Sequence, residues 1–209
     1  MHPNPTFRKT DSARTLDFAR TRGFGLLVLN GPDVPLTASV PFLLSGDGTT
    51  ALLHLVRSNP ITRHLVDGGQ AAKIVVSGPD AYVSPDWYGI EDQVPTWNYV
   101  AVHLFGRLER LDPSALRGVI DDTSAHFENA LAPKPAWTSA KMTPDTLNRM
   151  MRQIVPFRFI VTEAEATWKL GQNKPDDVRL RAADEMRNSA IGLDPASLAR
   201  LMRTAGEAD

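Results

Sequence analysis

Between Gly23 and Ser77 four apolar runs of strand length follow one another in close succession. The runs are Gly23 to Asn30 (GFGLLVLN), Leu36 to Leu44 (LTASVPFLL), Thr49 to Val56 (TTALLHLV) and Ala71 to Ser77 (AAKIVVS), rich in Val, Ile and Leu and punctuated by Gly, Pro, Asp and Asn. Parallel neighbours need a connection of about a dozen residues or more, so the close succession reads as an antiparallel meander. One short helix interrupts it: in Asn59-Pro60-Ile61-Thr62-Arg63-His64-Leu65-Val66, Asn59 caps and Pro60 takes the first helical position.

Asp11 or Ser12 can cap a short helix carrying Leu16 and Phe18 ahead of the strands. After them, Tyr99 to Leu111 alternates, and Gly106 inside it predicts a bulge or bend that curls a sheet. Asp112-Pro113 starts a helix on which Leu116, Val119, Ile120, Phe127 and Leu131 share a face. A proline-rich loop from Ala132 to Pro144 leads to a second short helix bearing Leu147, Met150 and Met151. Ile154 to Thr162 returns to strand and continues to Leu170, and the tail is helical, with Asp194-Pro195 opening a helix that carries Leu198, Leu201 and Met202. The pattern predicts a mainly-β fold with peripheral helices (α+β), a barrel over residues 1–170 with inserted helices at about 112–151, and a helical tail at 171–209.

With 42% apolar residues the chain can build one sizeable core. A formal net charge of -1 gives no global pull toward a polyanion, and zero cysteines exclude disulfides, thiolate metal sites and cysteine nucleophiles. No apolar run approaches the roughly 20 residues of a membrane span, and Met1 to Phe7 lacks the layout of a secretory signal, so a cytoplasmic location is expected. The five histidines lack metal-binding spacing, and no P-loop, GxGxxG, GxSxG or HExxH motif is present.

Three clusters carry candidate chemistry. At the end of the third run, Arg57, Ser58 and Asn59 offer a guanidinium fork, a hydroxyl and an amide suited to a phosphate; the same residues also fit a plain helix cap beside a solvated charge. Between Ser77 and Tyr99 lie all three tyrosines with Trp87 and Trp97, and Ser84, Thr96 and Asn98 stand among them. Such a window suits a flat heteroaromatic ring, and equally a packed loop pair over a barrel end. At the end of the final strand, Lys169 and Lys174 can complement phosphate charge and Gln172 and Asn173 can read ring edges or bridge subunits, or the stretch simply forms a polar turn.

Five blocks, VPFLL (40–44), HLVRSNP (54–60), GPDAYVSPDWY (78–88), VPTWNY (94–99) and KLGQN (169–173), resemble in order and spacing the signature blocks of the PaiB family of FMN-binding negative transcriptional regulators. The resemblance covers roughly residues 1 to 180. It implies a split β-barrel of the pyridoxamine-phosphate oxidase and flavin reductase kind, a homodimer, and FMN at the subunit interface. It assigns the phosphate to Arg57, Ser58 and Asn59 and the ring's polar edge to the strand holding Ser39, Val40 and Pro41, with further contacts from Ser84, Trp87, Thr96, Trp97, Asn98, Lys169, Gln172 and Asn173. The chain departs from the family pattern at Ser39, where a histidine is usual, at Leu53 and Val56, and at Gly171, where a serine is usual.

Two functions follow from the resemblance: a flavin-dependent regulator, or an FMN-dependent oxidoreductase of a small aromatic or quinone-like substrate. A flavin or heme carrier without turnover fits the same fold. For the regulator, the tail segment Arg179 to Arg187 (RLRAADEMR) mixes arginines with Asp184 and Glu185 and makes a poor DNA-recognition helix. For the enzyme, His54 and His103 are the proton-donor candidates near the blocks. No catalytic residue is assigned.

Overall fold

The computed structural model describes residues 1–65 and 68–205. Its strands are β1 (Phe24–Leu29), β2 (Leu36–Pro41), β3 (Leu43–Leu44), β4 (Thr50–Val56), β5 (Gln70–Val83), β6 (Thr96–Arg110), β7 (Ile154–Lys169) and β8 (Gly192–Leu193). Its helices are α1 (Ser12–Arg22), α2 (Pro60–His64), α3 (Leu116–Asn129), α4 (Pro144–Met151), α5 (Asp176–Met186) and α6 (Pro195–Thr204). This is the mainly-β fold with peripheral helices that the sequence predicts, but the first four runs do not form the expected simple meander, because β1 pairs with β2 and β5 while β4 pairs with β3 and β7. Val66, expected at the end of α2, lies outside the described residues.

The chain forms two compact units, one of residues 1–15, 77–102 and 165–209, the other of residues 16–76 and 103–164. Strands β5, β6 and β7 contribute residues to both.

In the second unit, the sheet order β2-β1-β5-β6-β7-β4-β3 explains how the sheet curls. The terminal strands of that path, β2 and β3, are consecutive in the chain and separated by Phe42 alone. One run therefore supplies both margins of the sheet, and the ring is closed by covalent chain. The sequence predicts a single strand over 36–44, and it breaks because the chain changes partner. Phe42 N–H donates to the Gly23 carbonyl at 2.8 Å as the last rung to β1, while Leu43 already faces Leu52 on β4. Phe42 is fully buried among the inward residues Leu27, Leu53, Ile74, Leu104, Phe157 and Phe159. Burying each such side chain stabilises the fold by about 1.5–3 kcal/mol.

The inward residues alternate with outward ones as a strand's period of two requires. On β1, Leu27 and Leu29 are buried, whereas Phe24 and Leu26 are 42% and 39% exposed. Gly106 lies in an unbroken β6, where a Cβ would stand 1.9 Å from the Ile160 carbonyl oxygen. The glycine is required by the close approach of β6 and β7 backbones.

In the first unit, α5 and α6 pack on each other, and α5 on the 3-10 turn Pro85–Tyr88. Val178, Ala182, Ala183, Met186, Leu198 and Met202 fill the space between the helices. Arg179, only 2% exposed, donates to Asp176 at 2.8 Å and to the carbonyls of Met202 and Arg203. The two-residue β8 pairs with β5 through Asp80↔Leu193 and Ala81↔Gly192, an addition that the sequence pattern does not announce.

Candidate functional site

The expected phosphate group sits where β4 runs into α2. Asn59 Oδ1 accepts from Ile61 N at 2.9 Å, so this side chain caps α2. Arg57 and Ser58 are exposed beside it. The Arg57 guanidinium is aimed by the chain itself: Nε donates to the Arg152 carbonyl at 3.1 Å and Nη2 to the Ile154 carbonyl at 3.5 Å. Its Nη1 and the Ser58 hydroxyl have no partner among the described residues.

Helix α2 packs against β2, and β2 lies close to β4, which brings Ser39, Val40 and Pro41 to the same corner of the barrel as Arg57 to Asn59. As a terminal strand of the sheet path, β2 has a strand partner on one side only. Its other row of backbone N–H and C=O groups is left for a non-strand partner. Ser39 is exposed and Val40 is buried, so the ring-edge contact expected here falls to the main chain and the Ser39 hydroxyl. His54, three residues before Arg57 on β4, is half-buried; its Nδ1 has no hydrogen-bond partner among the described residues, and burial pushes its pKa below the ordinary histidine value.

The remaining expected contacts belong to the first unit. Thr96, Asn98, Lys169 and Asn173 line one pocket of about 270 Å³, together with His2, Tyr88 and Lys174. Lys169 Nζ donates to Thr96 Oγ1, and burial lowers the Lys169 pKa from its usual value. Lys174 Nζ lies 5.2 Å from the Tyr88 ring centroid and bonds Gln93 Oε1. Asn98 is buried and directs Nδ2 to Met202 Sδ at 3.4 Å. Gln172 fastens its own turn: Oε1 accepts from Leu170 N at 2.8 Å, and Nε2 donates to the Trp168 carbonyl at 2.6 Å. Trp87 lines a different hollow with Arg181 and Glu185, and Trp97 is 46% exposed, edge-on to Tyr82 at 6.3 Å. Ser84 precedes the Pro85–Tyr88 turn without a side-chain capping bond.

Sequence reasoning pointed to Lys174 alongside Lys169 but passed over His2 and Gln93 in this pocket, and Arg110, Asn148 and Arg152 around Arg57. Arg110 closes the alternating run of β6 and Arg152 follows directly on α4, positions that carry a signal only once the strand and helix ends are neighbours.

Residues 1–163 match the family model described as "Putative FMN-binding domain". The chain belongs to the PaiB family of FMN-binding proteins. Protease synthase and sporulation protein PAI 2 of Bacillus subtilis (strain 168) is 27% identical over 184 residues, 87% of each chain. The uncharacterized protein YKL070W of Saccharomyces cerevisiae is 32% identical over 83 residues, 36% of this chain and 48% of that one. Among solved structures, the FAD and heme binding protein from Mycobacterium smegmatis superposes with a TM-score of 0.55 at 18% identity, over 78% of this chain and 73% of that one. The flavocytochrome Anf3 from Azotobacter vinelandii gives 0.56 at 15% identity, over 80% and 72%. At such identities the likeness shows the fold, a flavin-type split barrel.

FMN is the cofactor of this PaiB-family chain. The donor set fits it: a guanidinium and a hydroxyl at the β4–α2 turn suit the phosphate, and the open backbone row of β2 suits a ring edge that both donates and accepts hydrogen bonds.

Proposed function

We propose that this protein is a cytoplasmic, homodimeric negative transcriptional regulator of the PaiB type, in which FMN sits at the subunit interface and its occupancy or redox state shifts the dimer between two forms. The observation that carries the reading is the outward face of the barrel unit beside β2. There the register places exposed Leu26 next to Ser39 on one side and Val75 on the other, and Phe24 next to Pro41. Lys73, opposite Val28, lies 4.2 Å from the Phe105 ring centroid on the same unit. An apolar face that borders the proposed ring-edge strand is what a second copy would cover while enclosing a flavin.

In this reading Arg57 and Ser58 hold the phosphate, Asn59 orders the turn by capping α2, and Ser39 to Pro41 meet the ring's polar edge. Bound FMN supplies the redox chemistry, while the protein binds, orients and shields it. Contact with DNA does not run through α5, because Arg179 is buried in its own unit and Arg181 is tied to Asp177 at 3.6 Å and to the Tyr88 carbonyl. The similarity to PAI 2 and the resemblance of the five blocks to the PaiB family's signature blocks support the regulatory role.

A second reading, an FMN-dependent oxidoreductase acting on a small aromatic or quinone-like compound, is favoured by His54, a half-buried imidazole on β4, the strand ending just before Arg57, with a nitrogen unpartnered among the described residues.

The purified protein is expected to show flavin bands in the near-ultraviolet and blue, and slow NAD(P)H consumption with a panel of acceptors. Fast, saturable turnover would reverse the ranking of the two readings. Arg57→Ala is expected to weaken FMN binding by about 1.5–3 kcal/mol, the range for a charge-assisted hydrogen bond, in a fluorescence-quenching titration. Unchanged affinity would remove Arg57 from the cradle. The same titration on Lys169→Met tests the contacts expected of the other unit.

A further inference from the structure

A hollow of about 440 Å³ opens within the barrel unit between the ends of β4 and β6, the start of β7, and helices α3 and α4. Three arginines line it, Arg57, Arg110 and Arg152, and no Asp or Glu does. None of the three makes an ion pair among the described residues. This sets them apart from Arg117, Arg158, Arg179 and Arg203, each of which has a carboxylate partner. Arg57 and Arg110 are held in place by backbone carbonyls, Arg57 by those of Arg152 and Ile154 and Arg110 by that of Thr62. The Arg152 and Asn148 side chains have no partner among the described residues. In a chain of formal net charge -1, two guanidiniums oriented by carbonyls and a third without a partner, none of them paired with a carboxylate among the described residues, are a local concentration of positive charge that calls for an anion.

The walls say what kind of anion. Leu111, Leu116 and Val155 form an apolar back, and Met151 projects from α4. Helix α4 carries its apolar residues at helical spacing, yet none of its residues is buried, and Met150 is 53% exposed. An occupant with an apolar body would cover part of that stripe as well as meeting the arginines. The volume falls within the roughly 300–1,000 Å³ of small-molecule sites, which are mostly apolar with a few placed polar groups.

We infer that this hollow binds a small organic carboxylate with an apolar body, its anionic end held by Arg110 and Arg152 beside Arg57, and its body against Leu111, Leu116 and Met151. The site is distinct from the flavin contacts on β2. Arg57 borders both, so Arg110 and Arg152 carry the test.

The probe is 2-naphthoate, titrated calorimetrically into protein saturated with FMN, with the neutral 2-naphthalenemethanol as its uncharged counterpart. One naphthoate is expected to bind per chain, and the alcohol at least about 10-fold more weakly. Arg110→Gln and Arg152→Gln, both at exposed positions, are each expected to weaken naphthoate about 10-fold or more while FMN affinity stays within about two-fold. The proposal is overturned if naphthoate fails to bind the wild type, or if the alcohol binds as tightly as the acid. It is also overturned if both substitutions weaken FMN in step with naphthoate, since the hollow would then be the flavin's own phosphate pocket.

Discussion

Asn59 and Gln172 show how one residue type serves two chemistries and why sequence alone left both open. Each was a candidate cofactor contact. In the fold, Asn59 spends its oxygen on the Ile61 amide, and Gln172 spends both ends on the Leu170 amide and the Trp168 carbonyl. The Asn59 cap is legible from Asn59-Pro60, whereas the Gln172 bonds, though also local, depend on the turn that brings Leu170 and Trp168 back onto its side chain, which KLGQN does not announce. His54 is the converse case. Alternation in TTALLHLV puts His54 on the face opposite the buried Ala51, Leu53 and Leu55, so neither its half-burial nor its Nδ1, unpartnered among the described residues, is legible from the run. Because burial depresses this imidazole's pKa, the unfolded chain takes up its proton before the native one does. His54 thus costs nothing above its ordinary value of about 6.5 and lowers stability as the pH falls below it. His54→Phe is expected to flatten the loss of stability between about pH 6.5 and 5 in urea titrations, with no loss at pH 8. An unchanged slope would show that other groups set the acid limb.

At the scale of elements, the strands and most helices follow from local pattern: β1, β4, β6 and β7 fall within a few residues of their apolar runs, and α1 and α6 begin at their capping signals. The departures are places where a partner decides. The run over 36–44 splits at Phe42 because it serves two neighbours, and β8 exists only because Gly192 can lie against β5. Gly106 was legible as special but not for its actual reason, the approach of the Ile160 carbonyl. Gly106→Ala must push two backbones apart rather than bend a side chain. It is expected to destabilise the fold by about 1–3 kcal/mol in chemical denaturation, as overpacking does. Gly118→Ala, where nothing stands within 4 Å of the added carbon, is the matching control and is expected to be neutral or slightly stabilising.

On the scale of the whole molecule, the order of strands around the ring could not be read from spacing, since it rests on pairings such as β4 with β7 that join distant parts of the chain. The cofactor, by contrast, was legible through the aromatic and HLVRSNP blocks, and the family match over residues 1–163 agrees. The outward apolar face was not legible, because Phe24 and Leu26 read as ordinary strand residues until the register shows which side the core occupies. If that face joins two copies, Leu26→Glu is expected to shift the protein from dimer to monomer in light scattering and to weaken FMN binding with it. A variant that remains dimeric would place the interface elsewhere. Among the described residues no helix is long and apolar enough to cross a membrane.

Closing the ring through Phe42 rather than through hydrogen bonds leaves a seam along β2 where main-chain amides lack a strand to pair with. A planar heterocycle with an imide-like edge can settle that debt whatever side chains border it. If the flavin edge docks on β2 as proposed, Ser39 in place of the customary imidazole alters the trim of the slot and leaves its main-chain recognition chemistry in place.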